Sequence, residues 1–149
     1  MTYIEESIRA ALLAMSAVAD YNGSGSADEM VIRFGYLEED DDTTDPHIVI
    51  DIDSDTPQND LEGEGGLRFA DLTVTCRATT MTASKGLAEA VRVNGTNPGT
   101  GLAGYGGSGT AFDSWLEDET RGIEAYDDSS GRFWHVVIQS YTVCYSETT

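Results

Sequence analysis

The chain has 149 residues, of which 40% are apolar and 9% aromatic, and these proportions suit one folded domain with its own core. It carries 27 Asp and Glu against 8 Lys and Arg, a formal net charge of −19. This balance excludes binding to nucleic acid through a broad basic surface. No run is apolar enough to span a membrane, so we expect no membrane partner. The N-terminus does not have the pattern of a secretory signal, so we expect no export by that route.

The charge is unusual in a second way, because Lys85 is the one lysine of the chain. Crowded carboxylates repel one another, and molar salt reduces the range of this repulsion to ~3 Å. Acidity alone does not explain the depletion of lysine. We therefore expect a protein adapted to a halophilic source, the alternative being an ordinary acidic protein.

The first predicted element is a helix with one apolar face. Thr2 is its candidate N-cap, and Glu5 and Glu6 lie in the first turn, where the helix dipole favours acidic side chains. The apolar face recurs at helical spacing along one continuous helix: Ile4, Ile8, Ala11, Leu12, Met15 and Ala19.

Two strands are expected before the middle of the chain, at Met30–Tyr36 and His47–Asp53. Residues 38–45 (EEDDDTTD) between them predict a flexible, solvated acidic loop. The segment Thr56–Gly66 is rich in Gly, Pro, Asn and Glu and predicts a second loop.

The clearest local pattern covers a strand and the helix that follows it. Apolar and polar residues alternate from Ala70 to Ala78, which is typical of a strand with one buried face. Thr80 or Thr82 is expected to cap the next helix, and Asn94-Gly95 to end it. Its apolar stripe, with Leu87 at the centre, is expected to pack on the sheet: Ala83, Leu87, Ala90 and Val91.

The last third of the chain begins with a Gly-rich segment, residues 94–111, which predicts a long flexible loop. A strand is expected over Phe112–Tyr126, bulged at Gly122, followed by a hairpin turn at Asp127–Gly131. The final strand, Arg132–Tyr145, has apolar residues on both faces, so it should lie inside a sheet or an interface.

Together these elements predict a single α+β domain, residues 1–149. We expect a mixed, mostly antiparallel sheet of about five strands with two helices packed on it.

One motif points to a metal. The acidic residues at positions 51–62 match positions 1, 3, 5 and 12 of a calcium loop, and a hard cation prefers several carboxylates. Thr56 stands where the sharp turn needs glycine, and a strand rather than a helix precedes the motif. Chance in so acidic a chain is the stronger explanation, and a calcium-binding module is kept as an alternative: Asp51, Asp53, Asp55 and Glu62.

The remaining candidate motifs give no catalytic site. Gly99, Gly101 and Gly104 spell G-x-G-x-x-G without the strand and helix that a nucleotide site requires. His47 and His135 have no nucleophile motif nearby. We expect no enzyme and no cofactor.

The two cysteines do not have the spacing of a metal site. Both Cys76 and Cys144 fall in predicted strands, so we expect two buried thiols. A disulfide would form only if the two strands bring them together.

Several segments, in order, resemble the tail completion proteins of long-tailed bacteriophages, also called tail terminators or tail-to-head joining proteins. The central strand and helix carry most of the resemblance, and the opening helix and the two last strands agree with it. The acidic and Gly-rich loops look longer than in that family. The segments are Ile4–Met15, Val74–Thr80 (VTCRATT), Ala83–Arg92 (ASKGLAEAVR), Trp115–Arg121 (WLEDETR) and Gly131–Ile138 (GRFWHVVI).

The resemblance implies a virion protein with neither cofactor nor catalysis. It implies a homo-oligomeric ring, usually hexameric, that closes the tail tube and contacts the tube protein and a head-side neck or stopper protein. Duplex DNA would pass through the bore without specific binding. Together with the halophilic composition, the resemblance implies a tailed virus of a salt-loving host such as an archaeon, with assembly in the host cytoplasm. A head-closure or adaptor protein of the neck is the near alternative.

Mixed polar and aromatic residues of the Gly-rich segment and of Phe112–Tyr126 are the candidates for contacts between subunits or with neighbouring rings. These interface candidates are Tyr105, Phe112, Trp115, Glu117 and Arg121.

Overall fold

The computed structural model describes residues 3–19, 31–35, 46–60, 63–95, 101–106, 111–125 and 133–146. Helices and strands follow in the order α1 (Ile4–Ala14), α2 (Ser16–Ala19), β1 (Ile32–Phe34), β2 (His47–Asp60), β3 (Gly63–Ala78), α3 (Met81–Val93), β4 (Phe112–Ala125) and β5 (Phe133–Ser146). None of the helices in these ranges has the length and apolar character needed to cross a bilayer.

The five strands form one mixed sheet in the order β1-β2-β3-β5-β4. Only the β1–β2 pair is parallel, and the other three pairs are antiparallel. The predicted α+β class with a mostly antiparallel sheet is confirmed, with one more short helix than expected. β5 lies between β3 and β4, as its two apolar faces predicted.

Helices cover one face of the sheet, which we call the helix face. Leu72, Val74 and Cys76 of β3 are buried there together with Leu87 of α3. Ile8 and Leu12 of α1 belong to the same core. The other face, here the opposite face, carries a small separate cluster of Trp134, Val136 and Ile138 from β5.

The ends of α3 agree with the sequence prediction. The Thr80 hydroxyl accepts a hydrogen bond of 3.1 Å from the Ala83 N–H, which makes Thr80 the N-cap. Asn94 adopts the left-handed conformation (φ 49°) that a C-cap needs. Its side-chain Oδ1 also accepts the Ala17 N–H at 3.1 Å, so the cap joins α3 to α2.

The expected continuous first helix is wrong, because it breaks at Met15 into α1 and α2. Met15 is extended (ψ 114°), and the Ala17 N–H bonds to Asn94 instead of an intrahelical carbonyl. Tyr3, not Thr2, holds the N-cap position of α1, and its N–H donates to the Glu6 carboxylate at 3.2 Å. Thr2 lies outside the described residues.

The predicted loop at Thr56–Gly66 is also wrong. β2 continues to Asp60 and β3 begins at Gly63, so the two strands form a long hairpin with bulges between Ile52 and Ser54 and between Pro57 and Asn59. β1 pairs only with Ile48–Ile50, so the rest of β2 is an edge strand, where proline is tolerated.

The bulge in β4 lies between Leu116 and Asp118, not at Gly122, which keeps regular pairing with Val136. The extra residue is Glu117. Glycine at position 122 therefore marks no irregularity of the strand.

The prediction of a flexible loop over 94–111 fails for the described part, residues 101–106. The N–H groups of Leu102 and Ala103 donate to the carbonyls of Val91 and Arg92, and Leu102 is fully buried in the core. A Cβ at Gly101 would lie 2.2 Å from the Arg92 carbonyl oxygen, so this close approach requires glycine. The acidic loop at 38–45 lies outside the described residues.

Candidate interaction surface

Among the described residues, β4 is the outermost strand on its side of the sheet, because it pairs with β5 alone. It is 14 residues long, and most of its side chains from Trp115 onward are exposed. An edge strand of this length presents unpaired backbone donors and acceptors to a partner. β4 is therefore the first candidate surface for binding another chain.

The bulge at Glu117 decides which side chains share a face of β4. Trp115 and Arg121 are six residues apart and would lie on one face of a regular strand. Trp115 instead pairs with Thr142 and Arg121 with Val137, two residues of β5 that face opposite sides. Trp115 thus lies on the opposite face and Arg121 on the helix face.

Trp115 is 41% exposed, and its orientation is fixed by polar contacts. Its indole N–H donates to Glu117 Oε1 at 2.6 Å, and the Thr142 hydroxyl donates to the same oxygen at 3.1 Å. A held, half-exposed indole is typical of an interface anchor. Trp115 and Glu117 therefore remain interface candidates.

The prediction that Phe112 contacts another subunit is wrong, because its side chain is 3% exposed and belongs to the core. Its ring stacks on Tyr105 with 4.6 Å between centroids. Ser114 also ties the Gly-rich segment to β4, since its hydroxyl donates to the Leu102 carbonyl at 2.6 Å. Tyr105 and Phe112 therefore hold residues 101–106 against the sheet.

A cleft of about 420 Å³ lies between α3 and β4 on the helix face. α3 packs against β3 and β5, and the exposed part of the helix face of β4, at Glu119 and Arg121, borders the cleft. The cleft is lined by one side of α3 and two residues of β4: Thr82, Lys85, Gly86, Glu89, Arg92, Glu119 and Arg121.

Three of the chain's eight basic residues meet in this cleft: Lys85, Arg92 and Arg121. Within the described ranges these three form no ion pair, whereas Arg68 pairs with Asp55 at 2.9 Å and Arg77 with Glu124 at 2.7 Å. Sequence reasoning found Arg121 and missed the other two. The recurrence of charged residues on one side of α3 (Lys85, Glu89, Arg92) was the available signal.

A buried polar network forms beneath the cleft. Gln139 is fully buried on β5, and its amide N–H donates to the Ala88 carbonyl at 3.0 Å and to Glu119 Oε2 at 3.1 Å. The Tyr141 hydroxyl donates to Gln139 Oε1 at 2.7 Å. Burial raises the pKa of Tyr141, which keeps the phenol neutral. The network fixes Glu119 at the edge of the cleft.

A second arrangement lies on the opposite face, around Trp134. The guanidinium of Arg77 lies 4.9 Å from the centre of the Trp134 ring and bonds to Glu124. His47 meets the same ring edge-on, with 5.3 Å between centroids. These contacts connect β2, β3, β4 and β5 and are typical of structural packing. They place His47 in the sheet, as the sequence predicted.

The candidate calcium residues do not form a loop. Asp51, Asp53 and Asp55 lie in the extended strand β2, and Glu62 lies outside the described residues. Asp53 accepts a hydrogen bond from the Thr73 hydroxyl, and Asp55 pairs with Arg68. In the described part of the chain, no group of three or more acidic, histidine or cysteine side chains is placed to hold a metal ion. The extended backbone of β2 does not give Asp51, Asp53 and Asp55 the conformation of a calcium loop.

Cys76 and Cys144 are both free thiols. Cys144 pairs with Phe69, seven residues along β3 from Cys76. At ~3.3 Å per residue this separates them by about 23 Å, far beyond the ~7 Å that a disulfide spans. Cys76 is buried as predicted, whereas Cys144 is only half-buried.

Comparison with known proteins assigns no family. No protein-family model matches the chain, and no curated protein matches it.

Proposed function

We propose that the protein is a structural virion protein that forms a ring, caps the tail tube and joins it to the head-side neck. The observation that carries the proposal is the long edge strand β4, whose outer side is unpaired in the described sheet. A subunit with such an edge gains backbone and side-chain contacts when a second subunit covers it. The helices and strands occur in the order that the sequence predicted, apart from the break of the first helix into α1 and α2.

The described residues support a scaffold more than a catalyst. Two buried polar side chains, Gln139 and Ser114, are hydrogen-bonded within the domain and hold α3 and residues 101–106 in place. Three of the exposed large apolar side chains lie on the hairpin of β4 and β5: Trp115 (41% exposed), Ile123 (62%) and Phe133 (55%). This distribution suits contacts between proteins.

The excess of acidic over basic residues also affects how the protein would interact with DNA. A ring on a tail has DNA in its bore, and a basic bore would hold phosphates and oppose sliding. Arg68 is paired with Asp55, and the Arg9 side chain bonds to the Ile32 carbonyl. We therefore propose a neutral or acidic bore and no DNA affinity.

The test is the assembly state of the purified protein in molar KCl. Sedimentation and negative-stain imaging should show a closed ring, with a hexamer expected, and the ring should bind purified tail tubes. A stable monomer that ignores tail tubes would contradict the proposal. A ring that binds only the head-side neck, and not tail tubes, would identify a neck adaptor instead.

A further inference from the structure

We propose that the cleft between α3 and β4 binds carboxylates of a second copy of this chain, and so forms the contact between neighbouring subunits. The inference rests on the proposed ring and names the surface and the chemistry that would join it.

The cleft is rich in basic side chains although the protein as a whole is strongly acidic. The protein has a formal net charge of −19, yet Lys85, Arg92 and Arg121 line one cleft and have no ion pair in the described ranges. Glu89 and Glu119 lie in the same cleft, so the lining has a net charge of 3 − 2 = +1. A surface of this sign attracts the acidic surface that every other copy presents.

The lining of the cleft suits a protein partner better than free phosphate. Glu89 and Glu119 lie beside the three cations and would repel a phosphate dianion. A protein surface can place carboxylates at the cations and N–H or hydroxyl donors at the glutamates. The cleft also borders β4, whose free edge offers backbone hydrogen bonds to the same partner.

The charge of the cleft also bears on the symmetry of the contact. Two clefts facing each other would bring six cations and four glutamates together with a net charge of 2 × (+1) = +2, so the cleft is better matched by an acidic surface elsewhere on the neighbouring copy than by a second cleft. The opposite face of the sheet exposes acidic side chains of β2, including Asp51 and Asp53. A contact between unlike surfaces is head-to-tail, and it closes into a ring when the rotation per subunit allows.

The single lysine makes the contact directly testable. A zero-length carbodiimide joins an amine to a carboxyl group in contact with it, and Lys85 carries the one side-chain amine of the chain. Equal amounts of isotopically labelled and unlabelled protein are assembled in molar KCl, cross-linked and digested. Mass spectrometry should find Lys85 joined to an Asp or Glu of a differently labelled copy.

Three variants distinguish the effect of positive charge in the cleft from the cross-linking chemistry of the Lys85 amine. Lys85→Arg keeps the charge and should keep the ring while losing that cross-link. Lys85→Gln with Arg121→Gln should weaken association at least tenfold. Ala10→Glu with Ser16→Glu is the matched control, because it changes the net charge by the same −2 at exposed helix positions outside the cleft and should keep the ring. Circular dichroism checks that each variant is folded.

The outcomes separate this inference from the proposed function. A ring that persists in the folded double-glutamine variant, or that gives no Lys85 cross-link between copies, overturns the cleft contact and leaves the ring standing. Loss of inorganic phosphate binding in that variant with an intact ring assigns the cleft to an anion and also overturns it. A wild-type monomer overturns both proposals.

Discussion

The side-chain amide of Gln139, buried in the middle of β5, donates a 3.0 Å hydrogen bond to the backbone carbonyl of Ala88 on α3. The same side chain accepts the Tyr141 hydroxyl proton and donates to Glu119. One polar residue in the core thus connects the sheet, the helix and the rim of the cleft. A fully satisfied buried network of this kind fixes the position of a helix on its sheet.

Gln139→Leu should destabilise the fold by about 1–3 kcal/mol, because it leaves the buried Tyr141 hydroxyl without its acceptor. Urea unfolding in molar KCl measures the change. The double variant Gln139→Leu with Tyr141→Phe removes both partners and should recover part of the loss. A single variant as stable as wild type would contradict the role of the network.

Leu87→Ala should destabilise the fold by ~2–5 kcal/mol, because Leu87 is fully buried at the centre of the α3 stripe. Denaturant unfolding gives the value. Ser16→Ala, at an exposed helix position outside the cleft, is the control and should change stability by less than ~0.5 kcal/mol. Equal effects in the two variants would mean that α3 does not pack as described.

The melting temperature should rise markedly between low salt and molar KCl. With a formal net charge of −19 and one lysine, carboxylate repulsion opposes the compact state until salt screens it. Scanning calorimetry over a KCl series measures the effect. A melting temperature indifferent to salt would remove the argument for a halophilic source.

The two thiols should react at different rates with a thiol reagent at pH 8. Burial raises the pKa of Cys76, and burial together with the charge of Asp113 raises the pKa of Cys144. Cys144 is half-buried and should react slowly, whereas Cys76 should react only on unfolding. Cys144→Ser assigns the slow phase. Fewer than two thiols in urea without reductant would indicate a disulfide and contradict the register of β3 and β5.

Tyr145 should make stability fall at high pH. Burial and a hydrogen bond from its hydroxyl to Asp55 raise the pKa of Tyr145 to about 12, above the ordinary value of ~10. The neutral phenol is favoured in the folded state, so its contribution is complete below pH ~10 and is lost as the pH rises through about 12. Tyr145→Phe should have a lower urea midpoint near neutral pH and a smaller decline in this window. A decline as large as that of wild type would exclude Tyr145 as its cause.

Local patterns in the sequence predicted a helix or strand correctly where all the evidence for it lies within that helix or strand. The alternation at Ala70–Ala78, the Thr80 cap and the Asn94-Gly95 end each depend on neighbours within a few residues, and the structure confirms them. The two apolar faces of the last strand likewise predicted its place inside the sheet. Periodicity alone was sufficient here, because burial on a face repeats with the spacing of the backbone.

Composition misled where long-range pairing overrides it. The polar, Pro- and Gly-containing segment after Asp53 predicted a loop, but pairing between β2 and β3 extends it as a hairpin. The Gly-rich composition of residues 94–111 predicted a flexible loop. Backbone hydrogen bonds from residues 102 and 103 to the end of α3 instead hold Leu102 in the core. These contacts join residues far apart in sequence, so no local window contains them.

The sequence by itself determined the acidity, the α+β class and the elements that frame the core. Only the tertiary structure decided that Trp115 and Arg121 lie on opposite faces of β4, because one extra residue at Glu117 inverts the alternation and nothing local marks it. Only the tertiary structure brings Lys85 and Arg92 of α3 beside Arg121 of β4. The cleft depends on the position of α3 on the sheet. The packing of the buried Leu87 and the hydrogen bond from Gln139 set that position.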